Sequence, residues 1–117
     1  MSRTVLIVDD HAEFRASARA LLEADGFVAA GEAVDGAQAV AMAAALRPAI
    51  VLLDIALPDI DGFAVAVRLA DTDQPPDVIL VSSRERAVYG RRIDRAPVRG
   101  FVPKRALSGA AIRALLG

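Results

Sequence analysis

Three runs along the chain are apolar at every position: Val5-Leu6-Ile7-Val8, Ile50-Val51-Leu52-Leu53 and Val78-Ile79-Leu80-Val81. A strand with one wet face would alternate, so unbroken runs predict strands buried on both faces, as in a parallel sheet. Helical spacing separates them. His11 to Asp25 is amphipathic, with Phe14, Ala18, Leu21 and Leu22 on one face, and Gly26 stops it. Phe27 to Val34 reads as an Ala-rich strand and Asp35-Gly36 as a turn. Ala37 to Leu46 reads as a second helix, small on every face, which Arg47-Pro48 ends. A third helix runs from Asp61-Gly62 to about Ala70, with Asp61 as N-cap and Phe63, Val67 and Leu69 as its apolar side. Asp71 to Pro76 is a polar loop. Arg84 to Arg95 carries Tyr89, Gly90 and five Arg, a weak pattern that predicts a short or mobile helix. Arg99 to Pro103 is a short last strand ending at Lys104, and Leu107 to Leu116 is a terminal helix with Ser108 as N-cap.

The pattern is βα repeated five times. Such alternation with short connections predicts an α/β fold: a doubly wound five-stranded parallel sheet with helices on both faces. At 117 residues the chain fits one domain, 1–117, with no linker, repeat or low-complexity tract. The absence of Cys excludes a disulfide framework and thiolate chemistry, and a single His excludes a His-rich zinc site. Met1-Ser2-Arg3-Thr4 leads straight into a strand without a signal-peptide pattern, and no apolar stretch is long enough to span a bilayer. A cytoplasmic protein is the expectation. Charge is unevenly spread: residues 1–83 hold five Arg against 13 acids (−8), and residues 84–117 hold nine Arg and Lys against two acids (+7). This reads either as clustering on solvated faces or as an acidic, cation-binding pole and a basic, partner-facing surface.

Four of the five strands end in a polar group: Asp9-Asp10, Asp54, Ser82 and Lys104. In a parallel sheet these ends share one edge, where α/β folds place their ligands. Asp54, at the end of the central apolar run, is either a solvated strand-end residue or a functional one, because a charge inside such a strand is costly. Carboxylates converging on one point need a cation, and an all-oxygen set suits a hard one such as Mg²⁺. A glycine-rich phosphate loop is missing after the first strand, and G-x-S-x-G is absent. Paired-carboxylate glycoside chemistry would need a cleft for which this domain has no space. Phosphoryl chemistry on a side chain remains, with a carboxylate as nucleophile and Mg²⁺ and Lys offsetting oxygen charge.

Val8-Asp9-Asp10-His11, the stretch Leu53-Asp54-Ile55-Ala56-Leu57-Pro58-Asp59-Ile60-Asp61-Gly62, Val81-Ser82-Ser83 and Gly100-Phe101-Val102-Pro103-Lys104 occur in this order at strand ends. In these motifs, and over essentially its whole length, the chain resembles the receiver domain of bacterial two-component response regulators. The resemblance implies a flavodoxin-like strand order 2-1-3-4-5. It implies that Asp54 takes a phosphoryl group from a sensor histidine kinase or phosphotransfer protein. Asp9, Asp10, Asp54 and the backbone carbonyl of Ala56 would hold Mg²⁺, Ser82 would sense the phosphoryl group, and Lys104 would pair with its oxygens. Phe101 would be an aromatic switch following Ser82. The plain readings are a strand-end hydroxyl for Ser82, a solvated lysine for Lys104 and a core aromatic for Phe101. His11 reads as a polar residue of the first helical turn, and Asp59 and Asp61 as loop and cap residues rather than ligands.

The output surface implied is residues 84–105, facing a downstream protein or a second copy, with no membrane role. Nucleic-acid binding ranks low, since only Tyr89 and Phe101 are aromatic there and no recognition motif is present. With phosphotransfer to itself and slow hydrolysis as its chemistry, "enzyme" is a marginal label. The alternative is a degenerate receiver, a phosphate-independent interaction module, against which the complete acidic set and Lys104 argue. Two departures stand out. Arg105 follows Lys104 where the family commonly has Pro, which leaves a cis bond there open. Arg84, two residues past Ser82, is placed to reach the site and, with Ala56, to tune phosphoryl loss. The terminal helix ends at Gly117 without a linker, which suggests a stand-alone domain.

Overall fold

A computed structural model describes residues 3–117; Met1 and Ser2, read above as the lead-in to the first strand, lie outside the described residues. The chain forms β1 (Thr4–Val8), α1 (Ala12–Ala24), β2 (Val28–Ala33), α2 (Gly36–Leu46), β3 (Ile50–Asp54), α3 (Gly62–Ala70), β4 (Asp77–Ser82), α4 (Arg86–Tyr89), α5 (Arg91–Arg95), β5 (Gly100–Pro103) and α6 (Gly109–Leu116), with a 3₁₀ turn at Lys104–Ala106. The five strands are parallel in the order β2-β1-β3-β4-β5. This is the flavodoxin-like order.

The unbroken apolar runs are buried on both faces, as their pattern predicts. Leu6, Val8, Val51, Leu53, Val78 and Leu80 point to one side, where Ala39 of α2, Phe63, Val65 and Leu69 of α3 and Ile93 of α5 cover them. Val5, Ile7, Ile50, Leu52, Ile79 and Val81 point to the other, against Ala18 and Leu22 of α1 and Ile112 of α6. Each fully buried Leu, Ile or Val contributes about 1.5–3 kcal/mol relative to an exposed one. No helix among the described residues is long and apolar enough to cross a membrane.

Side-chain caps start three of the six helices. Asp61 caps α3 by accepting from Ala64 N–H at 2.9 Å, and Ser108 caps α6 by accepting from Ala111 N–H at 2.9 Å. Asp35 and Gly36 are not a free-standing turn: Asp35 caps α2 through Gln38 N–H at 2.8 Å, and Gly36 is the first helical residue. Val67, assigned from its spacing to the apolar side of α3, is 57% exposed, and Val65 and Ala66 are buried instead. A nine-residue helix resting on a sheet buries one narrow face, and the all-apolar stretch Phe63–Val67 does not say which. The weak 84–95 helix is two pieces, α4 and α5, broken at Gly90, whose φ of 55° lies outside the right-handed helix.

Candidate functional site

Sheet register assembles the site. Val8 of β1 lies opposite Leu53 of β3, so Asp9 and Asp54 are the next residues on neighbouring strands. Ser82 of β4 lies opposite Pro103 of β5, so Lys104 emerges one step beyond. Asp9, Asp54 and Ser82 are the buried polar residues of the described chain, at 0%, 2% and 2% exposure.

Lys104 Nζ stands 2.5 Å from Asp9 Oδ2 and 3.4 Å from Asp54 Oδ2, and 4.6 Å above the ring of Phe14. One ammonium thus serves two buried carboxylates. Asp54 Oδ1 accepts a long hydrogen bond from Ala56 N–H at 3.3 Å. Asp9 Oδ1 accepts from His11 N–H at 2.8 Å, and the His11 imidazole Nδ1 lies 3.0 Å from Asp9 and 3.1 Å from Asp10. Arg15 clamps the Asp9 carbonyl at 2.7 Å and pairs with Glu32 at 3.0 Å. Burial pushes the Asp54 carboxyl above its usual range; the Asp9 charge pushes it the same way, and Lys104 and Ala56 N–H only partly oppose this.

Asp9, Asp10, His11 and Asp54 each bring one donor atom into a cluster within 4.8 Å of one another. Asp9 Oδ2 is buried without an aligned hydrogen-bond partner, although Lys104 stands beside it. An orphaned carboxylate oxygen among three carboxylates is what a hard divalent cation would satisfy, so these residues fit Mg²⁺. Asp59 and Asp61 lie outside the cluster. The two oxygens of Asp59 accept from Gly36 N–H at 2.8 Å and Ala37 N–H at 3.0 Å, tying the start of α2 to the loop after β3; those amide bonds, Gly36's first, hold its carboxyl below the usual range. Gly62 seats α3 directly on the end of β3. A Cβ there would lie 2.6 Å from the Asp54 carbonyl oxygen and 2.8 Å from Ile55 Cα.

Ser82 Oγ bonds to Tyr89 OH at 2.6 Å and accepts from Arg84 N–H at 3.0 Å. Arg84 therefore meets Ser82 through its backbone, with its side chain exposed. The Tyr89 ring packs edge-on against Phe63 at 5.9 Å and tilted against Phe101 at 6.0 Å. Phe101 is half-buried beside Tyr89 and has no hydroxyl with which to reach Ser82. The Lys104–Arg105 peptide bond is trans. Sequence reasoning assigned no role at the site to Tyr89, Phe14 or Arg15, and read Asp59 as a loop residue. The usable signal for Tyr89 is that a lone tyrosine follows the strand-end Ser82 by seven residues.

Residues 5–115 match the family model described as the response regulator receiver domain. A Pseudomonas aeruginosa protein assigned a predicted role as transcriptional regulator is 41% identical over 101 residues, which cover 86% of this chain and 49% of that protein. The chain thus spans about half the length of the curated relatives it first matches. The signal receiver domain of NarL, a predicted response regulator of Mycobacterium tuberculosis, superposes with a TM-score of 0.82 at 30% identity, covering 99% of this chain and 98% of that one. The CheX–CheY–BeF₃–Mg²⁺ complex from Borrelia burgdorferi aligns with a TM-score of 0.81 at 25% identity, over 97% and 86%.

Proposed function

This chain belongs to the response regulator receiver domain family, a family of phosphorelay signalling modules, and on that premise we propose that Asp54 is its phosphoacceptor. The observation that carries the proposal is the place of Asp54 Oδ2, at the end of β3 between a shared ammonium and a second buried carboxylate. The donor is a phosphohistidine on a sensor histidine kinase or phosphotransfer protein. An ionised Asp54 oxygen attacks phosphorus, an O–P bond forms as the N–P bond breaks, and the imidazole leaves with a proton. The nucleophile must be ionised, and burial works against that. Lys104 favours the charged form and, once the group is transferred, pairs with its oxygens.

The acidic site of the family binds Mg²⁺, and Asp9, Asp10, Asp54 and the Ala56 carbonyl are proposed to hold it here. When bound, the ion offsets charge on the carboxylates and on the transferred oxygens. The rest is done by the chain. Asp9 keeps Lys104 aimed inward, Arg15 and His11 hold Asp9, and Gly62 lets α3 start directly against the end of β3. Ser82 is proposed to donate to a phosphoryl oxygen. Receiver domains act between kinases and effector domains, and here the output surface is proposed to be residues 84–105, facing a protein target or a second copy.

Intact mass after incubation with acetyl phosphate and Mg²⁺ tests the reading. A gain of one phosphoryl group is expected, absent in Asp54→Asn and without Mg²⁺. A folded wild type that gains nothing refutes it and leaves a phosphate-independent interaction module.

A further inference from the structure

From Ser83 to Arg92 only one residue is not exposed, and it is Tyr89. Helix α4 is a single turn with no buried residue of its own. Gly90 breaks the chain behind it, in open space, with φ of 55°. The other side-chain ties of this segment are solvent-facing: the ion pairs Arg86–Asp94, Arg105–Glu85 and Arg92–Asp61, and the Arg92 guanidinium 4.2 Å above the Phe63 ring. Exposed pairs of this kind each hold little, about 0–1 kcal/mol. The Tyr89 ring, lodged between Phe63 and Phe101, is therefore the pin that fastens α4 to the sheet. The head of the pin is a hydroxyl, bonded at 2.6 Å to Ser82.

Ser82 has one hydrogen to donate and two lone pairs. Arg84 N–H uses one lone pair. Tyr89 OH takes either the hydrogen or the other lone pair, in a bond short enough to fix the Ser82 rotamer toward α4. A phosphoryl group on Asp54 would ask for the Ser82 hydrogen from the direction of β3, and turning Oγ to meet it draws Oγ from Tyr89 OH whichever hydroxyl donates. Its oxygens carry charge, and a charge-assisted bond is about twice as strong as one between two neutral hydroxyls, so the phosphoryl group wins that competition.

We propose that Tyr89 is the switch residue of this chain: its hydroxyl holds Ser82 toward α4 in the unphosphorylated state, and a phosphoryl group on Asp54 draws Ser82 away and unpins α4. The inference rests on the phosphoacceptor reading of Asp54. It places the aromatic switch on α4, where the resemblance placed it at Phe101 on β5. The surface released is that of Arg84, Arg86, Val88 and Arg91, all exposed, with Val88 at 58%. A basic rim around an apolar side chain suits an acidic, partly apolar partner segment.

The chain reports on this itself, because Tyr89 is its one tyrosine and there is no tryptophan. Beryllofluoride with Mg²⁺ serves as the phosphoryl mimic, with binding followed by fluorine NMR. In the wild type, Tyr89 emission is expected to change with the same midpoint as binding. Exchange of the Val88 and Gly90 amides, bonded to Glu85 and Arg86 carbonyls, is expected to speed up. In Tyr89→Phe, which keeps the ring and loses the hydroxyl, those amides should exchange fast before any mimic is added. The mimic should bind about 2- to 10-fold tighter, the weight of one neutral hydrogen bond. Wild type that binds the mimic with no change in Tyr89 emission or α4 exchange overturns the inference and leaves Asp54 as phosphoacceptor, and it does so without needing the variant to fold. Equal mimic affinity in wild type and Tyr89→Phe overturns it too. Failure of the folded wild type both to bind the mimic and to gain a phosphoryl group from acetyl phosphate overturns the phosphoacceptor reading and this inference with it.

Discussion

Replacing Asp54 with Asn, in protein stripped of divalent cations, is expected to make the fold more stable. Asp54 is 2% exposed, and its charged form interacts with two neighbours. Lys104 at 3.4 Å attracts it by about 5 kcal/mol at an effective dielectric constant of about 20. Asp9, with its donor oxygen no more than 4.8 Å away, repels it by at least about 3.5 kcal/mol on the same scale. The attraction is overstated, since the ammonium lies nearer Asp9, at 2.5 Å, and its field is divided between the two. These interactions come close to cancelling. What remains is the cost of taking a carboxylate out of water, several kcal/mol per ion even after relaxation. Asn avoids that cost, keeps an oxygen for Ala56 N–H and leaves Lys104 paired with Asp9. A net gain of about 1–3 kcal/mol follows, or roughly 4–12 °C in Tm for a domain of this size. Urea unfolding in EDTA measures it. The sign of the pH dependence is set by the raised carboxyl: the folded state holds the proton more tightly, so the penalty is absent below the ordinary value of 3.8 and grows as pH rises through the folded one. The advantage of Asn should therefore shrink on acidification. It should also shrink when Mg²⁺ is added, because the cation stabilises the wild type, by about 2.7 kcal/mol at a hundred times its Kd. An Asn variant no more stable than wild type at neutral pH without metal would refute the reasoning.

Gly62→Ala is expected to destabilise by about 1–3 kcal/mol, since its Cβ would press on the Asp54 carbonyl oxygen and Ile55 Cα, which are backbone and cannot turn aside; a variant as stable as wild type by urea titration would contradict the close approach. Glu32→Gln is expected to cost about 0.5–1.5 kcal/mol at pH 7, because the hydrogen bond from Arg19, and then that from Arg15, hold the Glu32 carboxyl below its ordinary value. That stabilisation is fully present above 4.5 and is lost as pH falls through the lowered folded value, so the two proteins should converge in stability near the acid end of a pH series.

Much of the fold can be read from short stretches. The three unbroken apolar runs became two-sided strands, and Asp61 and Ser108 became caps, because a strand's period and a cap's hydrogen bond involve residues within a few positions of each other. That Asp9, Asp54, Ser82 and Lys104 come to one edge of the sheet follows from a single inference, that strand ends in a parallel sheet share an edge. The strand order came from the resemblance, since nothing local in β2 or β5 says which neighbour it takes. Val67 went wrong because five successive apolar positions in a short helix admit more than one buried face.

The sequence by itself determined most element types, the polar strand ends and the carboxylates of the acidic cluster, since each follows from residue type and near spacing; that His11 adds a nitrogen to that cluster was not among them. Only the tertiary structure decided that Lys104 divides one charge between Asp9 and Asp54, that Asp59 anchors the start of α2, and that Tyr89 rather than Phe101 holds the Ser82 hydroxyl. These are contacts between groups on different elements, across sheet register and helix packing. Each turns on a difference of an ångström or so, because a hydrogen bond or a close charge pair fades over that distance, and near spacing along the chain does not carry that information.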